Sequence, residues 1–91
     1  SKAAVHMLTR HLAKRLAPRV TVNAIAPGPF ESKMMAATLE AFGEQIAAGT
    51  PLKRIGRPDD MAGAAIYLAS RAGAYLTGAV IPVDGGLGMG H

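Results

Sequence analysis

The sequence predicts an α/β fold, a parallel sheet covered by helices, with elements in the order α–β–α–α–β. Three observations carry this expectation. Residues 20–26 (VTVNAIA) are apolar enough on both faces to form a buried strand, and they stop abruptly at Pro27-Gly28-Pro29. Strands of that kind belong to parallel sheets buried under helices. Val5, Leu8, Leu12 and Leu16 recur at three- and four-residue steps, the period of an amphipathic helix. Two further stretches with helical start and stop signals separate the first strand from a second at 79–83. In open parallel sheets, ligands gather beyond the carboxyl ends of the strands, so the break at Pro27 is the first place to look for a site.

Taken in order, residues 1–17 form the first helix. Its alanines favour helix and allow close packing, and Pro18 ends it. The strand at 20–26 follows after a short connection. Its Asn23 must be hydrogen-bonded if buried, which predicts a tie to a neighbouring loop. Ser32 is placed to cap a second helix at 33–48, with Met35, Leu39, Phe42 and Ile46 as its apolar stripe. Gly43 weakens this helix by about 1 kcal/mol relative to Ala. Gly49 caps its end and Pro51 prevents continuation. Residues 52–57 are a loop. Pro58 suits the first turn of a third helix, Asp59 and Asp60 complement its dipole, and Met61, Ala65 and Leu68 face inward. Residues 70–78 are turns. Pro82 marks the second strand as an edge strand, because it cannot donate a ladder hydrogen bond. Asp84-Gly85-Gly86 is a turn, and the glycine-rich tail to His91 is loose.

Composition narrows the function classes. With 91 residues, 49% hydrophobic and 18% charged, the chain suits one small globular domain. It has neither an apolar run that could span a membrane nor a signal segment, and no membrane partner is expected. Without cysteine there is no disulfide, thiolate metal site or cysteine nucleophile, which is compatible with a cytoplasmic protein. The net charge is +4, but the basic residues of the first helix are spread around it. Phe30, Phe42, Tyr67 and Tyr75 are not interleaved with them, so no nucleic-acid surface is expected. His6 and His11 are five apart, off the spacing that pairs two ligands on one helix face, and no metal site is expected. The Gly86-x-Gly88-x-Gly90 run follows a strand but precedes no helix, so it is not a phosphate loop. Two strands cannot make a stable sheet by themselves. Residues 1–91 therefore read as the end of a larger α/β domain whose beginning is missing.

A set of short motifs sharpens this picture: Ser1-Lys2-Ala3-Ala4, then VNAIAPG at 22–28, PLKRIGRPDD at 51–60, YLAS at 67–70, LTG at 76–78 and VDGG at 83–86. In this order and spacing, the chain resembles the C-terminal part of a short-chain dehydrogenase/reductase. The wording IAPGPFESKM and GAYLTGAVIPVDGG looks most like the bacterial 3-oxoacyl-acyl-carrier-protein reductase branch. The resemblance implies the C-terminal portion of a Rossmann-type doubly wound parallel sheet. It implies hydride transfer between NAD(P)(H) and a carbonyl or alcohol substrate, with a 3-oxoacyl thioester as candidate. NADP is preferred to NAD by analogy with that branch; the family's cofactor-phosphate loop lies near the other end of the domain, and the residues that select the 2′-phosphate are not among these 91.

The resemblance also assigns residues. Lys2 matches the lysine of the family's Tyr-x-x-x-Lys pattern; the tyrosine would fall before Ser1. The four-residue spacing puts both side chains on one helix face. An ammonium beside a phenol lowers the phenol's pKa from about 10, and the family's tyrosine exchanges a proton with the substrate oxygen. Lys2 is further implied to bond the nicotinamide ribose. Pro27 and Gly28 shape the turn, the Phe30 N–H bonds the nicotinamide carboxamide, and Ser32 stands where a threonine is common. Met34, Met35, Leu39 and Phe42 fall in the family's substrate lid, and read equally as plain helix core. The first helix and the Pro82 edge strand match surfaces that family members use to form homo-oligomers, dimers or tetramers. The 91 residues alone are expected to be inactive. The competing reading is a non-catalytic segment, or homologue, that serves only structure or assembly.

Overall fold

The computed structural model describes residues 2–89, with Lys2 described through its backbone only. The helix start expected at Ser1, the role expected of the Lys2 side chain, and the last residues of the expected loose tail, Gly90 and His91, lie outside the described residues. The elements are helix α1 (Lys2–Leu16), strand β1 (Ala24–Pro27), helices α2 (Ala36–Ala48) and α3 (Pro58–Ala69), and strand β2 (Val80–Val83). Short 3₁₀ turns lie at Arg71–Gly73 and Leu87–Met89. The α–β–α–α–β order is the expected one. No helix among the described residues is long and apolar enough to cross a membrane.

The two strands pair in parallel. The Ala24 N–H donates to Ala79 O at 2.9 Å, and four residues on, the Gly28 N–H donates to Val83 O at 3.0 Å. In this register Pro82 falls between the residues whose backbone groups face β1, so its missing N–H removes nothing from the ladder. The ladder starts later than the apolar run. Ahead of Ala24, one backbone bond, from the Gly78 N–H to Val22 O at 2.7 Å, is joined by links through side chains. The Asn23 amide donates to Leu76 O at 3.1 Å and its carbonyl accepts from the Ala79 N–H at 3.0 Å, which is the expected tie to a neighbouring loop. Thr77 Oγ1 accepts from the Val22 N–H.

The chain divides into two compact units. One gathers α1 through Ala26 with Ala64–Ile81; the other gathers Pro27–Gly63 with Pro82 onward. In the first unit α1 turns Thr9 and Ala13 inward, 5% and 4% exposed. The expected stripe of Val5, Leu8, Leu12 and Leu16 is instead exposed, at 36–58%. Thr9 sits inside at low cost because its hydroxyl donates to Val5 O one turn back, at 2.7 Å.

In the second unit α2 starts three residues later than expected. The Ser32 hydroxyl does accept the Met35 N–H, at 3.2 Å, but the turn it closes is separate from the helix, whose N-cap is Met35. Met34 is left outside the helix, 94% exposed. The half-buried stripe of α2 runs Met35, Leu39, Gly43 and Ile46, with Phe42 turned outward. Gly43, the weakest helix former present, thus lies on the inner face. Gly49 is the C-cap, in right-handed backbone. On α3, Pro58 and the two aspartates occupy the first turn as expected; Met61 is half-buried in this unit, while Ala64 and Leu68, in the first unit, are half-buried and Ala65 is exposed. After β2, Asp84 holds the chain in a turn: its carboxylate accepts the N–H groups of Gly86 and Gly88, each at 2.9 Å. The part of the tail through Met89 is therefore ordered by Asp84, where the sequence predicts looseness.

Candidate functional site

Where β1 ends, the Pro27-Gly28-Pro29 break turns the chain into an irregular segment that forms one wall of a cleft of about 560 Å³. The wall is residues 27–32 with Met35, and α3 supplies Pro58, Met61 and Ala62 opposite. Most of these side chains are apolar, so polar recognition falls to Glu31, Ser32 and the backbone.

Backbone donors along this wall differ in whether they are paired, and Phe30 shows why. Phe30 forms a parallel bridge with Gly56. Its two bonds run from the Gly56 N–H to Pro29 O and from the Glu31 N–H to Gly56 O, each at 2.9 Å. Backbone groups alternate in direction along an extended chain, so the Phe30 N–H points away from Gly56. It makes no hydrogen bond among the described residues. The ring of Phe30 lies on Gly56 so closely that a Cβ there would stand 2.7 Å from Cε1 and 2.8 Å from Cζ.

The loop that carries Gly56 is held from both sides. Arg54 forms a two-pronged pair with Asp60, at 2.8 and 3.0 Å, and Asp60 also accepts the Arg57 N–H at 2.8 Å. Hydrogen bonding from Arg54, then from the Arg57 backbone, holds the Asp60 carboxyl below the usual carboxylate range. The same bond raises Arg54 above its ordinary value. On the other side Thr50 is 1% exposed. Its hydroxyl accepts the Arg54 N–H at 3.2 Å and lies within reach of two acceptors, Ala47 O at 3.0 Å and Arg54 O at 3.2 Å.

Of the expected site residues, Pro27, Gly28, Phe30, Ser32 and Met35 line this cleft, whereas Met34, Leu39 and Phe42 do not. Gly28 packs directly against Asp84: a Cβ on it would stand 2.6 Å from the Asp84 Cβ and 2.8 Å from its Cα. Its missing side chain admits Asp84. Sequence reasoning missed Met61, Ala62, Gly56 and the Thr50–Arg54–Asp60 set. The one available signal was Asp60 three residues after Arg57, the spacing at which an acidic side chain reaches back to a helix-start N–H. No group of metal-ligating residues that could hold an ion occurs among the described residues.

A parallel strand pair whose leading strand ends beside a cleft matches the place where ligands sit in open α/β sheets. The family model described as enoyl-(acyl carrier protein) reductase matches residues 1–88, and the chain belongs to this short-chain dehydrogenase/reductase family. It is 52% identical over 90 residues to the rhamnolipids biosynthesis 3-oxoacyl-(acyl-carrier-protein) reductase of Pseudomonas aeruginosa, a match covering 94% of this chain and 35% of that protein. It is 47% identical over 89 residues to a cyclohexanol dehydrogenase of Rhodococcus, covering 96% and 33%. Its fold superposes with a TM-score of 0.86 on the Pseudomonas aeruginosa RhlG/NADP active-site complex, at 49% identity, covering 94% of this chain and 36% of that one. The chain spans about a third of the length of these relatives.

Proposed function

We propose that residues 1–91 are the C-terminal part of a single NAD(P)-binding domain, and that the whole protein is an oxidoreductase moving a hydride between NADP(H) and a carbonyl or alcohol. The observation that carries this reading is the unpaired Phe30 N–H at the cleft, in a chain of this family. A donor with no internal partner, beside a largely apolar wall, suits the carboxamide of a nicotinamide ring. When bound, the cofactor supplies the hydride. Phe30 then orients the carboxamide through its N–H, Ser32 offers a hydroxyl beside it, and Pro27 with Gly28 sets the turn that presents both. Lys2 holds the nicotinamide ribose and, as a cation one helical turn from a tyrosine, favours the phenolate that exchanges the substrate's proton. NADP is preferred to NAD because the RhlG structure is an NADP complex.

The apolar side chains of Met35, Met61 and Ala62 suit an apolar substrate, and methionine adapts its shape to one. A 3-oxoacyl thioester is the favoured substrate, given the identity to the rhamnolipid reductase; a cyclic alcohol is the second reading, from the cyclohexanol dehydrogenase. The protein acts in the cytoplasm as a homo-oligomer, dimer or tetramer, and light scattering on the full-length protein measures that state. The direct test of function is loss of reduced-nicotinamide absorbance when the full-length protein is mixed with NADPH and a 3-oxoacyl thioester. Turnover supports the proposal. If NADPH binds but neither that thioester nor a simple ketone is reduced, and no alcohol is oxidised with NADP, the catalytic reading is wrong and a structural role replaces it.

A further inference from the structure

Gly56 meets the candidate site through the ring of Phe30 and through backbone bonds to Pro29 and Glu31, and with that ring in place a Cβ at position 56 has no room. The aromatic ring covers the space a Cβ would fill, with three ring carbons within 2.9 Å of it. On the backbone, the two Gly56 bonds engage Pro29 O and the Glu31 N–H, on either side of Phe30. They fix the direction of the peptide between them. The loop bearing Gly56 is itself immobilised by the Arg54–Asp60 pair and by the buried Thr50 hydroxyl. Such an arrangement holds one N–H in a set direction before any ligand arrives, which lowers the cost of ordering it on binding.

We infer that Gly56 is a positioning residue for the nicotinamide end of the cofactor, acting through the ring and backbone of Phe30. This rests on the reading of Phe30 as the carboxamide donor. A methyl group at position 56 forces the ring off its seat. Phe30 lines the cleft, so the displaced ring either enters the cleft or drags its own N–H out of line. Either movement weakens contact with the nicotinamide and leaves the adenosine end of the cofactor untouched. Removing the ring removes the collision.

The experiment measures, in the full-length protein, the dissociation constants of NADPH and of 2′,5′-ADP, which carries the adenosine end alone. Gly56→Ala is expected to weaken NADPH roughly tenfold, the scale of one lost hydrogen bond, while 2′,5′-ADP binding holds. Adding Phe30→Ala to Gly56→Ala is expected to restore NADPH affinity to that of Phe30→Ala alone. Equal weakening of both ligands, or a double variant no better than Gly56→Ala, would overturn the inference, because the ring would not be the intermediary. Phe30→Pro, which deletes the N–H, separates the two levels. If Phe30→Pro weakens NADPH selectively and Gly56→Ala does not, the positioning role fails and the Phe30 contact stands. If neither change affects NADPH, both fail.

Discussion

Thr50 shows how much a single hydroxyl organises here. It is 1% exposed, accepts the Arg54 N–H and sits within reach of Ala47 O and Arg54 O. Thr50→Val keeps the shape but leaves the Arg54 N–H facing a methyl group. It is expected to destabilise the full-length protein by about 1–3 kcal/mol, read by denaturant unfolding, whereas Thr50→Ser retains the bonds and most of that stability. Gly28 gives a second prediction. Alanine there would collide with the Cα and Cβ of Asp84, and these cannot swing aside as a flexible tip would. A loss of about 1–3 kcal/mol is expected, and an unchanged unfolding midpoint would show that the β1–loop segment yields. Asn23 and Thr50 differ in legibility for a physical reason. A lone amide inside an apolar run announces a buried polar group that needs partners. A threonine between Gly49 and Pro51 looks like any loop residue, because its burial arises only when distant segments fold back over it.

Helices and strands were legible where period and punctuation agreed, as with the extent of α1, the Pro58 start of α3 and the strand through Pro82. The errors lie where a local signal is used for something else. Ser32 closes a turn of its own, so the helix it was expected to start begins at Ala36. The stripe of α2 passes through Gly43 instead of Phe42; the two follow Leu39 at steps of three and four, so helical period alone does not choose between them. The Asp60 link gives the pH prediction for the loop before α3. Its folded pKa is lowered by Arg54 and by the Arg57 N–H. The stabilisation is therefore fully present above the ordinary carboxylate range, and is lost as pH falls through that range toward the folded value. Both side chains are partly exposed, 42% for Arg54 and 31% for Asp60, so screening keeps the effect small. Asp60→Asn should flatten the decline of melting temperature below about pH 4 and leave its neutral-pH dependence alone. An unchanged acid slope would show that the pair does not couple to folding.

For the molecule as a whole, the main unexplained feature of the sequence pattern was the apolar stripe of α1. Periodicity marks Leu8 and Leu12 as inward, yet they are 58% and 36% exposed, while Thr9 and Ala13 are covered. A pattern shows that a face wants burial but does not say which partner buries it. The proposal that residues 1–91 are one part of a larger domain gives the stripe its cover, since relatives are about three times as long. In the full-length protein, Leu12→Ala is then expected to cost about 2–5 kcal/mol, as for a buried leucine. A change near zero in denaturant unfolding would mean the stripe stays in water.

The central proposal is that Lys2 assists hydride transfer in the full-length protein. The most direct measurement is the rate of NADPH consumption by the full-length protein with a 3-oxoacyl thioester, compared between the natural sequence and Lys2→Ala, with circular dichroism confirming an unchanged fold. The account predicts a fall in turnover on the order of a hundredfold or more, the range lost when proton transfer is no longer assisted. A Lys2→Ala protein that turns over at the natural rate would contradict it.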